Sequence, residues 1–221
     1  KIQIEGDNRD RFFALKIPVE MDQSRYLRAI EFVPGNHKLV HHMNGHLVNF
    51  DANKMKDMHQ GLYIIEHDSI PSRTLAYQFG FRQDDGSFPR LTPSVVNYLP
   101  GVGGTLYPEG IGGYRLSSKF ALYVKDLHIG PTPVPATDSS YFNLYFMDAP
   151  PKRPLKELHL GTLGVAPVKP PLAIPPGEVK AFTISYVLPQ KISVLTINPH
   201  MHLLGEKFKA YAITPKGDTI K

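Results

Sequence analysis

The sequence predicts an all-β protein built of two antiparallel, jelly-roll-like β-sandwich domains, the second incomplete in this chain. Three observations lead there. Twenty-one prolines and eighteen glycines cut the 221 residues into short apolar segments separated by turns. Within Phe142-Asn143-Leu144-Tyr145-Phe146, and again within Phe208-Lys209-Ala210-Tyr211-Ala212, polar and apolar residues alternate with period two. Between segments almost nothing reads as helix. Only the polar stretch 53–59 offers one, and it is marginal. Strands without intervening helices imply antiparallel sheets stacked as a sandwich or jelly roll.

The expected strands follow in order at residues 12–19, 25–33, 38–50, 74–81, 119–127 and 141–147, then 157–163, 179–188, 193–203 and 208–214. Three prolines fall within Asp148-Ala149-Pro150-Pro151-Lys152-Arg153-Pro154, a run that cannot sit in a central strand. A domain boundary is expected there, giving a first domain at 1–151 and a second at 152–221. Near the C-terminus, Pro215-Lys216-Gly217-Asp218 reads as a turn and Thr219-Ile220-Lys221 as the start of a returning strand. The second domain is therefore expected to be incomplete in this chain.

Composition narrows the chemistry. Apolar residues make up 42% and charged residues 20%, an ordinary globular balance. No apolar run approaches the ~20 residues of a membrane span, so no transmembrane segment is expected. The net charge of +5 is spread over single residues such as Lys16, Arg28, Lys56 and Lys180, which argues against a nucleic-acid partner. There is no cysteine, which excludes disulfides, thiolate zinc sites, iron–sulfur clusters, type 1 copper and thiol nucleophiles. Any metal must be held by His, Met or carboxylate. No Gly-x-Ser-x-Gly elbow, P-loop or dinucleotide fingerprint is present, and Gly101-Val102-Gly103-Gly104 lacks the Lys-Ser/Thr of a phosphate loop.

Ten histidines stand out by arrangement. In a strand, residues two apart share a face with Cα atoms about 6.5–7 Å apart, so His200 and His202 can converge on one metal through neutral imidazole nitrogens. The same spacing equally describes two polar residues on a solvated face. His41 and His42 are neighbours, and a regular strand points neighbours to opposite faces. Both reach one ion only where the strand bulges or bends; otherwise one is a core histidine bonded to a carbonyl and the other points outward. His46 adds an imidazole on the His42 face. His128 ends a strong β segment at a Gly-Pro turn, a rim position. His37, His59, His67 and His159 are expected at the surface.

Taken in order, these segments resemble the copper type II, ascorbate-dependent monooxygenases, the group of peptidylglycine α-hydroxylating and dopamine β-monooxygenases. The likeness rests on four passages. They are Tyr26-Leu27-Arg28-Ala29-Ile30-Glu31-Phe32-Val33-Pro34-Gly35 leading into Val40-His41-His42-Met43, and Tyr107-Pro108-Glu109-Gly110-Ile111-Gly112-Gly113 before the strand ending at His128. Then come Ile174-Pro175-Pro176-Gly177-Glu178 and His200-Met201-His202-Leu203-Leu204-Gly205. The likeness spans roughly 26–218. It implies a divergent, bacterial member with two mononuclear coppers. His41, His42 and His128 would ligate the electron-transfer copper. His200 and His202 would ligate the oxygen-activating one, with a methionine ligand expected beyond residue 221. By strand alternation Met201 would then point the opposite way, into the sandwich. The likeness further implies O2, ascorbate or another one-electron donor, a small-molecule or peptide substrate, and a secreted, periplasmic or cell-surface protein whose signal has been removed. The family's disulfides are missing. Asn198 also stands where the peptidylglycine enzymes place a substrate-binding arginine, so an amidated-peptide substrate is not expected. The alternatives are a noncatalytic copper-binding or copper-handling protein of the same fold, and a structural jelly roll with incidental histidines.

Overall fold

Alternating apolar residues pair into antiparallel ladders along most of the first 147 residues. In the computed structural model, residues 1–221 are described apart from Asp68, Ser69, Thr105, Glu109, Pro154, Thr162, Leu163, His200, His202 and Leu203, and Pro93 is described by its backbone alone. The elements run β1 (Ile2–Ile4), β2 (Arg11–Glu20), β3 (Arg25–Val33), β4 (Val40–Asn49), β5 (Ile64–Glu66), α1 (Ser72–Gln78), β6 (Arg90–Tyr98), β7 (Tyr114–Leu116), β8 (Lys119–Ile129), β9 (Ala136–Asp138), β10 (Tyr141–Met147), β11 (Ala212–Ile213) and β12 (Thr219–Ile220). The protein is all-β, with antiparallel sheets. The chain divides into two units, Lys1–His159 and Leu160–Lys221. The division lies beyond the proline-rich run where the sequence suggests it. Residues of that run bond back into the first unit, the Lys152 N–H to the Gly110 carbonyl and the Arg153 carbonyl to the Gly112 N–H.

In the first unit a five-stranded sheet, ordered β5-β2-β8-β4-β6, faces a three-stranded sheet, ordered β10-β3-β7. Their inner faces share one core, with Phe13, Leu27, Ile30, Met43, Leu47, Phe120, Leu122 and Leu127 among its buried side chains. Each large apolar side chain fully buried there contributes roughly 1.5–3 kcal/mol. This is a sandwich-like arrangement. Pro18 interrupts β2 without harm, because it lies beyond the short β5 ladder, where β2 has only β8 beside it.

The outer face of the five-stranded sheet is covered in part by a second apolar cluster. Ala14, Val48, Ala121 and Tyr123 of the sheet pack there against Met55, Met58, Leu75, Phe79 and Phe81. Residues 74–81, expected as a strand, instead carry α1. Leu75 and Phe79, four apart and both 0% exposed, fall on one helical face and bury together. Pro71 precedes the helix and Gly80, at φ +66°, ends it. The stretch 53–59, a marginal helix by sequence, forms turns instead, closed by Asp51 accepting the Asn53 N–H and by Asp57 accepting the His59 N–H.

The second unit is sparsely paired. Its described residues form the hairpin β11-β12 and an isolated bridge between Lys169 and Thr183. The described parts of the expected strands at 179–188 and 193–203 join no ladder. Apolar side chains there stay open to solvent, Val187 at 90% and Val179 at 86%. The strand expected at 157–163 is also absent among the described residues.

Candidate metal centre

The covering cluster leaves one end of the outer sheet face open. Three histidines meet there. β4 pairs with β8 so that Val40 opposes Ile129 and His42 opposes His128; the register shifts between, and His41 is the extra residue of a β-bulge. The bulge brings two neighbouring side chains, which regular alternation would separate, to one partner. The His41 and His128 rings stack at 4.7 Å between centroids and 23° between planes. The His42 ring meets His128 edge-on at 5.1 Å. On the other side of β8, Phe12 of β2 stacks on His128 at 4.4 Å and 15°. His128 is thus flanked by Phe12 and His41.

Two carboxylates complete the cluster. The His128 Nε2 lies 2.8 Å from Asp10 Oδ1, and the His42 Nε2 lies 3.3 Å from Asp126 Oδ2. Asp126 shares the outer face with His128 by the period of two. Asp10 comes from the segment before β2. Arg11 holds that segment by donating to Glu5, Asp7 and Glu66 at 2.9, 2.8 and 2.5 Å. Gly130, two residues after His128, lets it approach. A Cβ there would sit 2.7 Å from the Arg9 carbonyl oxygen.

The imidazoles and carboxylates gathered here are side chains of the kinds that ligate metals. Two imidazoles bound to one ion at about 2.0–2.1 Å, with a ligand angle of about 90–110°, hold their centroids roughly 4.5–5.2 Å apart. The separations of 4.7 and 5.1 Å fall in that span, but the His41 ring lies against the face of His128, and face-stacked rings cannot both hold one ion in their planes. The nitrogens themselves are not gathered. Among the described residues, no group of three or more His, Asp or Glu side chains is arranged to hold a metal ion. The Nε2 atoms of His42 and His128 are turned to carboxylates.

The other histidines lie apart. His46 faces the Thr92 carbonyl oxygen through Nδ1 at 3.3 Å, and burial lowers its pKa below the usual imidazole value. It packs at 5.9 Å from the Tyr123 ring, whose phenol burial pushes up to about 12. His37, His59 and His159 are exposed, as their surroundings suggest. His67, expected at the surface, is half-buried, and its Nε2 is enclosed without a hydrogen-bond partner. It lines a cleft of about 440 Å³ together with Phe12, Lys125 and Asp126. His200 and His202 lie outside the described residues. Met201 between them is 47% exposed rather than turned inward, because the second unit offers it no apolar layer. Phe12, Asp10 and Asp126 were not singled out by sequence. Asp126 carried a signal in its position two before His128, whereas Asp10 reaches His128 across 118 residues and carried none.

No protein-family model, curated protein or solved structure matches this chain.

Proposed function

We propose that the protein is a copper-dependent monooxygenase that hydroxylates a C–H bond with O2 and a one-electron donor such as ascorbate. The observation that carries the reading is the bulge in β4 that gathers His41, His42 and His128 at one end of the sheet. These are the residues that the resemblance makes ligands of an electron-transfer copper. Neutral imidazoles without a thiolate support both oxidation states of copper, which a one-electron relay requires. The bound metal would supply that single-electron exchange. Phe12 and the carboxylates of Asp10 and Asp126 hold the rings, and the open end of the sheet gives solvent and a donor access to them. In the overall reaction one oxygen atom enters the C–H bond and the other leaves as water, with two electrons from the donor and two protons.

The second copper of the reading would be held by His200 and His202 with a methionine beyond residue 221. The substrate is a small molecule or peptide, and the protein works in the periplasm, at the cell surface or outside the cell. The test is O2 consumption by the copper-loaded full-length protein with ascorbate as donor. His128→Ala should lower it at least about 100-fold, more than the loss of a residue that only supports a ligand. Stoichiometric copper without ascorbate-driven O2 consumption would leave a noncatalytic copper-binding protein and overturn the enzyme reading.

A further inference from the structure

The two carboxylates at the imidazole cluster have a consequence for which nitrogens are available. Each takes the Nε2 of a different histidine, Asp10 that of His128 and Asp126 that of His42. A carboxylate accepts, so the imidazole Nε2 carries the hydrogen it donates, and the lone pair of the neutral ring then sits on Nδ1. Phe12 and His41 fix the plane of His128 from its two sides. The His128 side chain is only 18% exposed, so the ring is confined in position as well as in tautomer. The Asp10 contact in turn depends on Gly130 and on the Arg11 network that ties down the preceding segment.

We infer that Asp10 and Asp126 are positioning residues of the metal centre, which hold His128 and His42 by Nε2–H, present Nδ1 to the ion, and bias the site toward the more highly charged oxidation state. The inference rests on the proposed copper reading. Its physical basis is general. A carboxylate behind a ligating imidazole makes the ring a stronger donor and places negative charge near the ion, and both effects favour Cu(II) over Cu(I). His41 has no such carboxylate among its described contacts. The site is therefore asymmetric, with two rings held from behind by carboxylates and a third, His41, held by stacking on His128.

The experiment compares Asp10→Asn, Asp126→Asn, Asp10→Glu and Gly130→Ala with the parent in the full-length protein. The probes are Cu(II) and Cu(I) salts in competition titrations, and the Cu(II) species is followed by electron paramagnetic resonance. Asn keeps a hydrogen-bond acceptor but removes the charge, so each Asp→Asn variant should bind Cu(II) 10–100-fold more weakly. Cu(I) affinity should change several-fold less, and the resonance parameters should shift. Asp10→Glu should recover part of the Cu(II) affinity. Gly130→Ala should reproduce the Asp10→Asn pattern, because its Cβ displaces the Arg9-Asp10 backbone. Variants that bind both ions as the parent does, with an unchanged spectrum, would overturn the inference while leaving the copper reading intact. Equal weakening of Cu(II) and Cu(I), with a lower melting temperature of the metal-free protein, would show a merely structural role and also overturn it. A parent protein that binds neither ion would overturn the copper reading itself, and the inference with it.

Discussion

Among the described residues Lys16 is the most deeply buried cation of the first unit, at 3% exposure, and none of their carboxylates lies within bonding reach of it. Its Nζ donates instead to the carbonyls of Met58, Gln60 and Phe79, which ties the covering segments to β2. Replacing it with Met keeps the stem and strands three carbonyls, at a cost of about 1–3 kcal/mol in urea denaturation; an unchanged midpoint would contradict this role. The neighbouring strands carry Tyr123 and His46 in register with it. Both the Tyr123 hydroxyl and the His46 Nε2 are enclosed without a hydrogen-bond partner. Tyr123→Phe removes one orphaned group and should be neutral or stabilising by up to about 1 kcal/mol. His46 makes stability depend on pH. Burial lowers its folded-state pKa below the 6.5 of a free imidazole, so the unfolded chain takes up a proton that the folded chain resists. Stability from this residue is present above pH 6.5 and is lost as the pH falls below it, toward the folded-state value. Thermal melts of the parent and His46→Gln between pH 5 and 8 check the sign, and the variant should show the shallower acid limb.

At the scale of elements, what alternation could reveal is what the sequence made legible. β3 and β10 fall on the residues expected as strands, and β2, β4 and β8 lie within a few residues of theirs. Their apolar faces are long enough to specify register. Of the alternating stretch expected as a strand at 208–214, only Ala212–Ile213 pairs, as β11. β6 escaped notice because Pro93 interrupts it, yet it is an edge strand, where a missing N–H is tolerated. The three-residue strands β1, β5, β7 and β9 are set by pairing partners rather than by their own pattern. α1 stands where the sequence predicts a strand. Its Leu75 and Phe79 serve the outer cluster at helical spacing. Leu75→Ala should therefore cost about 2–5 kcal/mol and loosen the cover over Tyr123. Hydrogen exchange would register that as faster opening of β8 amides beneath it. The bulge in β4 is the element-scale feature on which the site depends. The adjacency of His41 and His42 required such a bulge for a shared ion, but only pairing with β8 determines where the extra residue falls.

At the scale of the molecule, the first unit is a sandwich whose inner faces make the core, and whose outer face is half covered and half open. The imidazole cluster occupies the open end beside the cleft lined by Phe12 and Asp126. Among the described residues, no helix is long and apolar enough to cross a membrane. Three of the five histidines expected as ligands, His41, His42 and His128, are brought side by side; the other two lie outside the described residues. Sequence spacing could nominate these histidines, but not the carboxylates and the aromatic ring that hold them, because Asp10 and Phe12 meet His128 only through the β2-β8 ladder. The most direct test of the central claim is copper stoichiometry in a full-length protein carrying His200→Ala and His202→Ala, measured with and without His128→Ala. The account predicts one tightly held copper per chain in the first case, and binding weakened by at least about 100-fold once His128 is lost. No bound copper in the first case, or copper held equally well in both, would contradict it.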